Sequence, residues 1–279
     1  MTTNPLTVES PRTTLASLRQ DFPDVLMIRT GLVSVTFRQL SAEEIISNVE
    51  QAALDGIEWG GDIHVPHGDV ARAKEVKRHT HEAGVQVAAY GSYYRVGVSE
   101  ESGLSFKSVL ESAIALEAPL IRVWPGDTGS ADADDAFRNQ VVEDALRIAD
   151  MAAKENISIA YEWHVNTLTD TFDSAMTLLQ EASHPHLRTL WQPTSGVNHN
   201  DCLSELTEIH NHLNNIHVTC VVDGERKALR EGRAQWHDYL RAADTNGKTR
   251  YALLEFVRDD SLDAFREDAE TLKEIATSL

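Results

Sequence analysis

Cysteine is scarce in this chain: Cys202 and Cys220 are its only two thiols in 279 residues. So few thiols in so long a chain exclude a disulfide framework. Cys220 lies in an apolar run and reads as a small core residue. Positive charge is scarce as well, with 25 basic residues against 44 acidic ones and a net charge of −19. Such a surface repels phosphate backbones, so no nucleic-acid partner is expected. No stretch approaches the roughly 20 apolar residues of a membrane span. The Thr-, Ser- and Pro-rich segment Met1 to Arg19 also lacks the apolar run of a signal peptide, so a cytoplasmic protein without a membrane partner is the expectation. No glycine-rich phosphate loop follows the first apolar run, which counts against an open doubly wound sheet.

What the chain does have is one unit repeated. Short apolar runs alternate with longer amphipathic stretches. The runs are Met27 to Phe37, Gly56 to Trp59, Val85 to Tyr90, Leu120 to Trp124, Ile157 to Trp163, Leu187 to Gln192, Ile216 to Val222 and Arg250 to Val257. The intervening stretches read as helices from Ser41, from about Asp69 to Ala83, Leu104 to Glu117, Asp134 to Glu155, after Thr169, Leu203 to Leu213, Ala234 to Ala243 and Leu262 to Ile275. Ser41 with Glu44 three residues on is a capping-box pattern. Eight strand–helix units with no composition break predict a single-domain α/β fold, a (β/α)₈ barrel over residues 23–279, preceded by a loose arm over 1–22.

In such a barrel the chemistry sits where the strands end. Strand two ends in Glu58 and Trp59 and runs into Gly60-Gly61-Asp62-Ile63-His64. Strand three ends at Tyr90 and runs into Gly91-Ser92-Tyr93-Tyr94, strand four ends in Arg122 and Trp124, and strand five in Glu162-Trp163-His164. Gln192, His217 and Glu255 stand on strands six, seven and eight. Carboxylate, amide, imidazole and carboxylate on consecutive strands form a plausible shell for one divalent ion: Mn, Mg, Co, Fe or Zn. The bland reading of any single member is a helix cap, an ion pair or a packed histidine. Among the other mouth residues, His64 is a candidate acid/base or hydroxyl-binding group, or equally a histidine that packs the loop. Glu58 is a candidate for substrate contact or for an ion pair with Arg122. Arg122 itself suits an anionic substrate group, while Tyr93, Trp124 and Trp163 suit the apolar face of a sugar. His164 and Arg226 are further candidates.

At these residues the chain resembles the xylose isomerase-like barrels, in their sugar phosphate isomerase/epimerase branch. The resemblance runs from about Ile28 to the C-terminus. It is carried by Gly31-Leu32-Val33-Ser34-Val35-Thr36-Phe37, Asp55-Gly56-Ile57-Glu58-Trp59, Tyr161-Glu162, Asn215-Ile216-His217-Val218 and Leu253-Leu254-Glu255-Phe256. It implies a metal held by Glu162, Gln192, His217 and Glu255, with Glu162 and Glu255 as catalytic carboxylates. Gln192 departs from the family's aspartate and leaves the site one negative charge poorer. Ser195 stands where the family often has histidine, and His199 is the nearby residue placed to compensate.

The activity implied is isomerisation or epimerisation of a small polyhydroxylated substrate through a metal-stabilised cis-enediolate. One carboxylate would take a proton beside the carbonyl and the other would return one. Loss of a hydroxyl from the same enediolate would make the enzyme a dehydratase of an inosose- or hydroxy-acid-like compound. From another class, a degraded metal site would leave a non-catalytic sugar-binding barrel. An abasic-site endonuclease of the same superfamily needs more His and Asp ligands and a basic face, which this acidic chain does not offer. A homo-oligomer is expected by analogy alone.

Overall fold

The computed structural model describes residues 28–194, 196–244 and 248–279. The arm expected over 1–22, the Met27 start of the first strand, and Ser195 lie outside them. Eight parallel strands close into a barrel. They are β1 (Ile28–Val33), β2 (Gly56–Gly60), β3 (Gln86–Arg95), β4 (Leu120–Trp124), β5 (Ser158–Tyr161), β6 (Leu187–Trp191), β7 (Leu213–Val218) and β10 (Arg250–Leu254), with a short antiparallel hairpin, β8 (Val221–Val222) and β9 (Glu225–Arg226), between β7 and β10. Outside the barrel run helices α1 (Ala42–Gln51), α2 (Val70–Glu82), α3 (Phe106–Leu116), α4 (Asp135–Ala153), α5 (Phe172–Glu181), α6 (His199–Ile209), α7 (Arg233–Ala243) and α8 (Leu262–Thr277). None of the described helices is long and apolar enough to cross a membrane.

Side-chain caps decide where the loops give way to helix. Ser41 accepts from the Glu44 amide while the Glu44 carboxylate accepts from the Ser41 amide, the reciprocal box expected from sequence. Asp69, Ser105, Asp134, Thr171, Asn198 and Ser261 cap α2 to α6 and α8 in the one-sided form. Each of these caps fixes the start of a helix just beyond a strand's C-terminal end, and the mouth is built from the segments between.

Three elements differ from the periodicity reading. The apolar signal placed α6 over Leu203 to Leu213, but Asn198 caps it and it begins at His199. Leu213 instead starts β7, opposite Thr189. The seventh strand also stops at Val218, because Val221 and Val222 leave the barrel for the hairpin and stand half-exposed. Strand β3 runs past its expected end at Tyr90 to Arg95 through a bulge: Gly91 pairs with Arg122, yet Tyr94 pairs with Val123. Ser92 and Tyr93 are the extra residues. Tyr93 takes the left-handed conformation, with φ of 55°, which is costly for a side chain of its size.

Candidate metal centre and active site

Five charged side chains from five strands meet inside the mouth. Glu58 lies on β2, Arg122 on β4 and His217 on β7, while Glu162 and Glu255 stand one residue beyond β5 and β10. All five are buried. Arg122 is the hub, its Nε donating to Glu58 Oε1 at 2.6 Å and its Nη1 to Glu162 Oε2. The Trp124 indole N–H donates to the same Glu162 oxygen. A Cβ at position 91 would stand 2.5 Å from Arg122 Nη2 and 2.8 Å from Glu58 Oε1, so glycine there makes room for the ion pair. Glu58 therefore takes the structural role among its two sequence readings.

His217 is held from one side only. Its Nε2 donates to Glu58 Oε2 at 3.1 Å. Its Nδ1 faces Glu255 Oε2 at 3.2 Å and Glu162 Oε1 at 3.7 Å, yet this buried nitrogen makes no hydrogen bond among the described residues. Ligand atoms of Glu162, His217 and Glu255 lie within 4.8 Å of one another.

Two observations fit these residues to a divalent cation. A carboxylate fixing one imidazole nitrogen and leaving the other unbonded is the usual outer support of a metal-binding histidine. In addition, three buried carboxylates face one guanidinium, which leaves two negative charges when the imidazole is neutral. Burying such an imbalance is expensive unless a cation offsets it. Without an ion the imidazole itself supplies positive charge: burial alone would lower its pKa, but Glu255 and Glu58 hold it well above the ordinary histidine value. Burial likewise pushes the Glu58 carboxyl up, and His217 and Arg122 outweigh it, holding Glu58 at about 2. Arg122 is raised well above its usual value by Glu162 and Glu58 against the opposing effect of burial.

The remaining sequence candidates divide. Gln192 is half-buried one residue beyond β6, and its amide nitrogen donates to the Trp163 carbonyl at 2.5 Å, which leaves the carbonyl oxygen as its acceptor end. Tyr93 packs on Arg122, whose guanidinium carbon lies 4.6 Å from the ring centroid, and meets Trp124 edge-on at 5.3 Å. Trp163 turns into the barrel wall, its N–H on Thr189. His64 is not brought to the cluster. Its Nδ1 meets the Ser34 hydroxyl at 3.0 Å and its Nε2 the Leu40 carbonyl at 3.2 Å, so both nitrogens are used in packing the loop. His199 turns away as well, pairing with Asp238 on α7 at 3.2 Å and tilting against Tyr239. Arg226 pairs with Asp260 at 2.6 Å. The nearby Phe256 has φ of 56°, a second left-handed aromatic at the mouth that no sequence pattern announced.

Residues 46–275 match a family model described as a xylose isomerase-like TIM barrel. A 3-dehydroshikimate dehydratase of Bacillus anthracis is 25% identical over 206 residues, covering 68% of this chain and 72% of the relative. The crystal structure of the probable 3-DHS dehydratase from that organism superposes with a TM-score of 0.75 at 20% identity, covering 88% of this chain and 99% of the other. A D-allulose 3-epimerase from Methylomonas sp. superposes at 0.66 with 15% identity over 91% and 99% of the two chains. An IOLI protein solved with a zinc atom superposes at 0.69 with 13% identity over 90% and 99%. At these identities the superpositions establish the fold.

Proposed function

The chain belongs to the xylose isomerase-like TIM barrel family, and from that premise we propose that it is a metal-dependent dehydratase of a small polyhydroxylated ketone. The residues that would hold the ion are Glu162, His217 and Glu255, with the carbonyl end of Gln192 completing the set. Bound there, a divalent ion supplies positive charge that lowers the cost of an enolate beside a carbonyl.

The observation that carries the reading is the unequal treatment of the two glutamates. One oxygen of Glu162 is pinned by both Arg122 and the Trp124 N–H. Among the described residues the Glu255 side chain makes no hydrogen bond, and its one ion pair is with His217. Glu255 is thus the carboxylate free to take a proton from the carbon next to the carbonyl, while Glu162 is held still. Elimination needs only one such base: the proton removed can depart with the leaving hydroxyl as water. The sequence similarity to a 3-dehydroshikimate dehydratase agrees with this assignment.

Epimerisation or isomerisation is the second reading. It is favoured by the convergence of two carboxylates on one imidazole, since exchange between faces needs two groups to move protons. The assay that separates them supplies Mn²⁺, then 3-dehydroshikimate in one arm and D-allulose in the other. Appearance of the absorbing dehydration product supports the dehydratase. Interconversion of ketoses with solvent deuterium at one carbon supports the epimerase. Turnover in neither arm, with no metal bound, leaves a sugar-binding barrel.

A further inference from the structure

A cavity of about 460 Å³ opens beside the charged cluster, and the mechanism above makes no use of it. Arg95, Trp124, His164 and Asn166 contribute to its walls, with Asp127 and Asp132 also lining it. Arg95 closes β3 and, because of the bulge at Ser92 and Tyr93, stands opposite Trp124. Its guanidinium lies 5.1 Å from the Trp124 ring centroid. No hydrogen bond or ion pair to that guanidinium occurs among the described residues. In a chain with such an excess of acids, arginines around the mouth are otherwise tied down, Arg38 by Asp62, Arg122 by Glu58 and Arg226 by Asp260.

The same indole stacks on His164, with ring centroids 4.5 Å apart and 28° between planes. His164 spends its Nδ1 on the Val165 carbonyl at 2.7 Å. Trp124 thus links two worlds: its N–H holds Glu162, and its ring supports a cationic residue facing an open cavity. A guanidinium carried on an aromatic plane, with all its N–H groups unspent, is arranged to receive a planar carboxylate. The carboxylates of Asp127 and Asp132 are acceptors suited to hydroxyl groups, and they disfavour an anion anywhere in the cavity but against the Arg95 guanidinium.

We propose that Arg95 is the anion-recognition residue of this protein and that the cavity takes the carboxylate of a hydroxylated organic acid. Where that acid is the substrate, the inference rests on the dehydratase reading and restricts it to hydroxy-keto acids, with Arg95 determining specificity at a distance from the reacting carbon.

The test compares ligands that differ in the carboxylate alone, independently of turnover. D-Glucuronate and D-glucose are titrated calorimetrically into the wild type, Arg95→Gln, Arg95→Lys and His217→Ala, with shikimate as a second acid. The wild type is expected to prefer glucuronate over glucose by about tenfold or more, as a charge-assisted pair does. Arg95→Gln erases the preference, Arg95→Lys keeps part of it, and His217→Ala retains it. Because the Arg95 guanidinium makes no hydrogen bond among the described residues and its one ring contact is with Trp124, Arg95→Gln should melt within a few degrees of the wild type, so a loss of preference is not a loss of fold. Equal binding of both sugars by the wild type, binding of neither, or a preference that survives Arg95→Gln overturns the proposal. A preference that depends on Arg95 in a protein with no activity on either test substrate removes the catalytic reading and leaves this one standing.

Discussion

Two groups in this molecule have the same composition, two glutamates and a histidine with ligand atoms inside 4.8 Å: Glu162, His217 and Glu255 in the barrel, and Glu43, Glu75 and His79 on α1 and α2. Their surroundings differ. On the helices the glutamate side chains are 47% and 48% exposed, and Arg72 bridges them at 2.9 and 2.7 Å. The Arg72 hydrogen bond holds the Glu43 carboxyl below its ordinary value despite some burial. Charge there is already balanced by a neighbour and by water, and such pairs contribute little. In the barrel the side chains are 4%, 1% and 8% exposed, and the nearest arginine is spent on Glu58 and Glu162. Equal proximity therefore means different things. The buried group carries negative charge that only a protonated His217 or a bound cation offsets, whereas the exposed one is balanced by Arg72 and water.

The largest effect that would break this comparison is on turnover. Glu255→Gln should lower the rate on the active substrate by roughly 10²–10⁴-fold, the usual contribution of a positioned base, whereas Glu43→Gln should leave it unchanged. Steady-state kinetics on both variants decide it. A smaller effect is expected one step back from the ion. Glu58→Gln removes the carboxylate that orients His217, and metal affinity measured by competition with a chelator should fall about 10–100-fold. Gln192→Asp sharpens the same point in the opposite direction: restoring an anionic ligand should tighten metal binding in that assay. Arg72→Ala, at the exposed group, should cost less than about 1 kcal/mol in denaturant unfolding.

The smallest effect concerns a buried carboxyl outside both groups. Burial raises the Glu205 pKa, against the hydrogen bond from Trp191. A raised folded-state value favours the neutral form, so ionisation at neutral pH weakens the fold. Glu205→Gln keeps an acceptor for Trp191 and should be as stable as the wild type or more so at pH 7. The advantage should shrink as pH falls through the raised value and be gone below the ordinary 4.5. Thermal melts across that range read it out.

The barrel was legible because its signals are local. The Ser41–Glu44 box, the Asp69 cap and the alternation of apolar runs are properties of short windows. Glu162, His217 and Glu255 could be grouped from the sequence because barrel closure brings the ends of neighbouring strands together, and Gln192 is not part of that group of three. His64 kept two readings, mouth chemistry and loop packing, because a histidine after a mouth glycine pair looks the same whether its nitrogens meet substrate or Ser34 and Leu40. Arg95 was missed for a different reason. Its position depends on two extra residues in β3 and on the left-handed backbone at Tyr93, and neither has a side-chain signature. The end of β7 failed likewise, since Val221 and Val222 carry a strand signal but pair across a hairpin.

The central claim is that the buried group, and not its exposed counterpart, holds a divalent ion. Elemental analysis of protein purified without chelator, on the wild type beside His217→Ala and His79→Ala, tests it most directly. The account predicts about one equivalent of metal in the wild type and in His79→Ala, and none in His217→Ala. Metal retained by His217→Ala, or absent from a wild type whose melting temperature does not rise with Mn²⁺, Mg²⁺, Co²⁺, Fe²⁺ or Zn²⁺, would contradict it.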